Sequence, residues 1–289
     1  MNFLSTRLVL LATITVASNA FAGEMAVTTP ASSKFYIGVG MGAIFSNSTN
    51  SFTATSNSVL YSPTQIGTSL FTLNDVNWQN KFSNGFDFNA VVGQQLFSNN
   101  RFDFEFLYQN IQRDSFGTYG WREQNSTTGA IYAQQANNKI SQIAGRATTY
   151  SFLTNISHDF NNFGKWQPLI GAGVGVAWLR AGSIQTDNSL NIDDPNTPLV
   201  ETAPAIQTSP SLYGTAFAWQ FKVGVGYQVS EMAIATLQYR LYGTTEFKGS
   251  SSSIITSPGT IGQANFYVGE HDINPLLIHA LELNMRFNI

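Results

Sequence analysis

The chain has no cysteine among its 289 residues, and only 11% of them are charged. The first absence excludes structural disulfides, a cysteine-linked lipid anchor and thiol catalysis. The second separates it from ordinary soluble domains, where about 25% of residues carry charge. Long apolar runs are also missing beyond the N-terminus. The longest, Leu169 to Leu179, has 11 positions and carries Gly171, Gly173 and Gly175, too few for a helix that must cross about 30 Å of hydrocarbon. Positive charge is scarce: 14 Lys and Arg against 17 Asp and Glu give a net charge of −3, which leaves no basic stripe for nucleic acid. Histidine is confined to His158, His271 and His279. No glycine-rich loop precedes a helix and no cluster has metal-ligand spacing, so neither a cofactor nor a metal is expected.

The N-terminus reads as an export signal. Arg7 supplies a positive start, Leu8 to Val16 an apolar core, and Ala20-Phe21-Ala22 a small-residue cleavage site. Residues 1–22 are expected to be removed, leaving 23–33 as a short periplasmic segment and 34–289 as one domain. Aromatics make up 13% of the chain and glycine contributes 24 residues. A chain poor in charge without being oily suits strands with one face on lipid and the other on a polar lumen. Without a spanning helix, a membrane location requires a closed barrel, because hydrocarbon offers no partner to an unpaired backbone amide.

Alternation with period two supports that reading. In 34–45, Phe35, Ile37, Val39, Met41, Ala43 and Phe45 oppose Tyr36, Gly38, Gly40 and Gly42. Similar rows run through 84–97, 101–113, 146–160, 166–179, 213–229, 233–245 and 276–289. Phe102, Phe104, Phe106 and Tyr108 oppose Asp103, Glu105 and Gln109; Leu281, Leu283, Met285 and Phe287 oppose Glu282, Asn284 and Arg286. None of the eight apolar rows contains Asp, Glu, Lys or Arg. A Lys or Arg facing mid-bilayer costs about 2–4 kcal/mol, so the exclusion has a physical cause.

The connections alternate in length. Residues 46–83, 114–145, 180–212 and 246–275 are long, whereas 98–100, 161–165 and 230–232 are short. All nine prolines avoid strand interiors. The expected fold is all-β: an eight-stranded antiparallel transmembrane barrel with four long extracellular loops and short periplasmic turns. It is placed in the outer membrane with both termini periplasmic, and no further domain is expected after the last strand.

Several of these strands resemble a known family. Pro168-Leu-Ile-Gly-Ala-Gly-Val-Gly-Val-Ala177, Ala218-Trp-Gln-Phe-Lys-Val-Gly-Val-Gly-Tyr227, Leu237-Gln-Tyr-Arg-Leu-Tyr-Gly243 and Leu281-Glu-Leu-Asn-Met-Arg-Phe287 are similar to strands of bacterial surface-antigen and opacity-type barrels. The resemblance runs from about residue 34 to the end. It implies an OmpA-like eight-stranded barrel with exposed loops and a host-facing surface role. The chain departs from that family at its end, where Ile289 stands in place of an aromatic and Phe287 comes two residues earlier.

An eight-stranded barrel is filled by side chains or holds one small ligand. The inward charges Asp103, Glu105, Lys222, Arg240, Glu282 and Arg286, with Asp87, are expected to form a paired lumen network, because an unpaired buried charge is costly. Lys222, Arg240 and Glu282 should share one depth on three consecutive strands, and the glycines of the first and fifth strands should leave volume for them. The plugged interior is preferred to a small gated pore. The loops are polar: residues 46–58 hold eleven Ser, Thr or Asn in thirteen positions, too few apolar groups to order independently. Asp187, Asp193, Asp194 and Glu201 read as a solvated acidic loop rather than a cation site. His158 and His279 fall on outward rows, no His-x-Ser pair occurs, and His271-Asp272 near Ser250 to Ser253 is the sole remnant of a triad. The chain is therefore read as a non-enzymatic, monomeric surface protein contacting outer-membrane lipid, with host-cell or matrix ligands at its loops. A pore is the alternative, and a lipid-modifying enzyme a more remote one.

Overall fold

The computed structural model describes residues 35–54, 59–62, 69–73, 76–96, 99–125, 128, 130–160, 163–182, 184–185, 208–209, 211–249, 252–255, 265–268 and 271–289. The export signal assigned to 1–22, the segment 23–33 and the acidic residues Asp187, Asp193, Asp194 and Glu201 lie outside them.

Eight strands form the body: β1 Phe35–Ser46, β2 Val76–Gln95, β3 Asn100–Asn125, β4 Ile131–Asp159, β5 Trp166–Ala181, β6 Leu212–Gln228, β7 Ala233–Thr244 and β8 Leu277–Asn288. Each pairs antiparallel with the next, and β8 pairs back onto β1 from Tyr36↔Asn288 to Ser46↔Ile278. The sheet therefore closes into an all-β, eight-stranded barrel, in which no strand of the ring is left with an unpaired edge. Both ends of the described chain lie at one end of the barrel, here the terminal end. The opposite end is the loop end.

The alternation places side chains as expected. Phe35, Ile37, Val39, Met41 and Phe45 of β1 are exposed on the outer wall, and so are Phe221 and Val223 of β6 and Leu277, Leu281 and Leu283 of β8. Among the described residues, the outer wall carries charge only near its rims. On β5, 14 residues (166–179) separate exposed Lys165 from exposed Arg180. At ~3.3 Å per residue and a tilt of ~40°, that interval spans ~35 Å. Aromatic rows lie inside both limits: Trp166 faces Tyr227 near the terminal end, and Phe88, Tyr108, Tyr150 and Trp178 run across β2 to β5 toward the other.

The connections differ from expectation. At the terminal end the turns are short, as between β6 and β7, where the Val229 amide donates to the Ala233 carbonyl at 3.0 Å. At the loop end, β2 begins at Val76 rather than 84, β3 continues to Asn125 rather than 113, and β4 starts at Ile131 rather than 146. Most of 114–145 is thus a ribbon of paired strand, irregular near Ser115/Gly117, Tyr119/Trp121 and Glu123/Gln124. Within 46–83, Ser48–Ala54 pairs with β2, and Ser69–Leu73 pairs with β3 and with Val59–Ser62. Phe247–Gly249 pairs with β6 and with His271–Ile273. These polar segments gain order by adding to ladders that already exist, which requires backbone pairing and no apolar core of their own.

Candidate functional site

The interior divides into two regions. Toward the loop end an apolar layer fills the lumen: Ile44 on β1, Ile111 on β3, Leu179 on β5, Tyr242 on β7 and Ile278 on β8 belong to one buried cluster. Beyond it Arg113 Nε and the Ser115 hydroxyl, both buried, donate to Asn80 Oδ1 at 2.9 Å. Phe247 and Ile273, from the strands after β7, join the apolar cluster. The lumen there is filled by side chains, an apolar plug that the charge-based reading did not contain.

Nearer the terminal end the interior is ionic. Arg240 of β7 is the hub, with a fully buried side chain. Its Nη2 donates to Glu105 Oε1 of β3 at 2.6 Å and to Glu282 Oε2 of β8 at 3.0 Å, while its Nε donates to Glu282 Oε1. Its Nη1 donates to Gln220 Oε1 of β6. Lys222, facing Arg240 in register across β6 and β7, reaches across the lumen to Glu105 Oε2 at 2.6 Å. The same oxygen accepts from Gln220 Nε2 at 2.7 Å and Asn155 Nδ2 at 2.8 Å. Glu282 Oε2 also accepts from Gln238 Nε2 at 2.6 Å. A buried charge costs several kcal/mol unless its bonding capacity is met, and here five strands contribute the groups that meet it.

Of the six residues singled out from the sequence, Glu105, Lys222, Arg240 and Glu282 share this network directly. Asp103 joins through Asn155, whose Nδ2 donates to Asp103 Oδ1 at 2.6 Å, and it also accepts from the Tyr36 hydroxyl at 2.7 Å. Arg286 does not belong to it. It lies near the terminal end in a second group, where Asp159 Oδ2 accepts from Arg286 Nη1 at 2.9 Å and Oδ1 accepts from Arg101 Nη2 at 2.8 Å. Both guanidiniums sit 5.5 Å from the Tyr36 ring centre. Its position on β8 explains the separation: Arg286 pairs in register with Gly38, whereas Glu282 pairs with Gly42, four residues further toward the loop end.

Charge alone could not have picked out Gln220, Gln238, Asn155 or Tyr36. Their signal was position on an inward row, which makes any long polar side chain a ligand for the ions. The glycine-lined wall has a direct role at Gly173, where an added Cβ would collide with Asn155 Oδ1. Between the two ionic groups remains a cavity of about 60 Å³ bordered by Tyr36, Asn89, Asp103, Lys222, Gln238 and Asn284, room for a few waters.

The histidines offer no comparable cluster. His158 lies on the outer wall with Nδ1 2.8 Å from Asn100 Oδ1, and His279 is exposed beside the Tyr239 hydroxyl at 2.5 Å. Asp272 faces Lys248 in register, and His271 faces Gly249. Among the described residues, no group of three or more His, Cys, Asp or Glu side chains is arranged to hold a metal.

No family model and no curated protein matches the chain. Solved structures with similar shape include Neisserial surface protein A (14% identity, 88% of this chain and 96% of that one, TM-score 0.39). The outer membrane protease OmpT of Escherichia coli is similar at 8% identity, with 92% and 99% covered and a TM-score of 0.43. The outer membrane protein OprG of Pseudomonas aeruginosa is similar at 12% identity, with 88% and 96% covered and a TM-score of 0.38. At such identities nothing of what those proteins do passes to this chain.

Proposed function

We propose that this chain is an outer-membrane protein whose barrel is a closed, non-conducting anchor. In this reading its work is done by the β-structured loop end, which presents polar surface to a host-cell or matrix ligand. The observation that carries the proposal is the pairing of an uncharged outer wall with a filled interior. A wall bearing charge only at its rims suits hydrocarbon, where an apolar band about 25 Å tall is flanked by aromatic girdles. An interior closed by Ile44, Ile111, Leu179 and Ile278 leaves the surface as the place for binding. Both termini then lie in the periplasm and the loops outside the cell. The protein acts as a monomer and without catalytic chemistry, and its barrel contacts outer-membrane lipid.

Conduction would require the apolar plug to move, so the pore reading is the weaker one. Two measurements test the proposal. Purified folded protein in a planar bilayer is expected to give no steady conductance, and a large stable current would overturn the closed anchor. Deletion of 114–145 is expected to abolish binding to host cells or matrix while leaving heat-modifiable gel migration intact. Unchanged binding after removal of each long loop in turn would overturn the adhesive role.

A further inference from the structure

One inward carboxylate stands outside both ionic groups. Asp87 of β2 is 1% exposed, no donor reaches either of its oxygens, and the Glu282 carboxylate lies against it. Its neighbour in register on β3 is Gln109, whose own neighbour on β4 is Thr149. Gln109 and Thr149 are both 0% exposed, and the amide oxygen and nitrogen of the first and the hydroxyl of the second are likewise unpartnered. Three adjacent strands therefore hold a row of five buried polar atoms that bond to nothing. Apolar side chains flank the row, with Leu107 and Ile111 on either side of Gln109 along β3 and Ala147 beside Thr149.

The hydrogen-bond pattern marks the same place. The other inward carboxylates of this part of the lumen, Asp103, Glu105, Asp159 and Glu282, all accept from named donors. On the far side of Asp87 is Gly42, where an added Cβ would lie 2.6 Å from Asp87 Oδ1 and 2.6 Å from Glu282 Cγ. A second acceptor thus borders the row, and glycine keeps the space beside it open.

We infer that Asp87, Gln109 and Thr149 form an occluded binding site for a monovalent cation of the sodium or potassium class. The donors would be the Asp87 carboxylate, Gln109 Oε1 and Thr149 Oγ1, an all-oxygen set that suits hard cations rather than zinc or copper. One bound cation gives acceptors on three strands a shared partner. Acidic side chains inside a membrane segment characteristically face such polar interiors and mark ion sites. The inference goes beyond the surface role proposed above and does not require it.

The experiment uses the whole folded protein in detergent, refolded in sodium, potassium or choline chloride at equal ionic strength. The thermal midpoint is expected to rise saturably with sodium or potassium over choline, and Asp87→Asn is expected to lose that dependence while Asp114→Asn keeps it. Crystals grown with thallium(I) are expected to give an anomalous peak among the three side chains, a readout independent of any variant's folding. A midpoint indifferent to cation identity, together with no peak, overturns the site. A midpoint that follows pH but not the cation also overturns it, by assigning a proton shared with Glu282 instead.

Discussion

Two regions of the barrel interior are filled by opposite chemistry. Near the loop end Ile44, Ile111, Leu179, Tyr242 and Ile278 pack as a small protein core. Nearer the terminal end Glu105, Lys222, Arg240 and Glu282 fill the lumen with ion pairs. An apolar core tolerates loss of one member at the cost of a cavity, because each contact is weak and non-directional. An ionic core does not, because removing one ion leaves its partners desolvated and unpaired.

The largest expected effect breaks the ionic half at its hub. Arg240→Ala strands Glu105 and Glu282 and should destabilise the folded barrel by about 3–5 kcal/mol, read as a lowered urea midpoint in micelles. Replacing Glu105, Lys222, Arg240 and Glu282 together by apolar residues of similar volume should recover most of that loss, since a packed apolar substitute is often neutral or stabilising. Failure of the fourfold variant to recover would show that the ions specify the fold and do more than fill it.

The apolar half is probed next. Leu179→Ala should cost about 2–5 kcal/mol, depending on how far the site collapses. If the plug is what blocks the lumen, the double variant Ile111→Ala, Leu179→Ala should also raise bilayer conductance, while Arg286→Ala should not. The third test carries charge to the other side of the wall. Phe221, 57% exposed, is one residue from buried Lys222, and Phe221→Arg should cost about 2–4 kcal/mol in a lipid bilayer. The same variant should cost far less in short-chain detergent, and equal losses in both would argue against hydrocarbon contact. The smallest effect belongs to the second ionic group. Arg286→Ala leaves Arg101 on Asp159 and is expected to lower stability by about 1 kcal/mol or less, measured by the same urea titration.

Much of this was legible in the residues. Period-two rows gave the strand count, the lipid-facing set and the short turns, because a strand reports its two faces with no reference to the rest of the chain. The inward charges were equally visible, as was the need for them to pair. Two features escaped for physical reasons. Leu107, Ile111 and Leu179 sit on inward rows, and in a reading that equates inward with polar they look like lapses in the pattern. They make sense once all eight strands contribute side chains to one buried cluster. The polar additions at the loop end carry little amphipathic signal, because Ser, Thr and Asn alternate there with residues of similar polarity and backbone pairing supplies the order. Ser48–Ala54 is the clearest case: its sequence argues for a loop, and the adjoining edge of β2 makes it a strand.

The sequence by itself determined which residues face outward, how many strands there are and that inward ions must find partners, since each follows from local alternation and the cost of desolvating charge. Closure of the ring decided the rest. It chose Glu105, across the lumen, as the partner of Lys222, set Arg286 apart with Asp159, and left Asp87 without a hydrogen-bond donor. Partners on opposite walls are separated by more than 100 residues of chain, and only the barrel's diameter and register bring their side chains within reach.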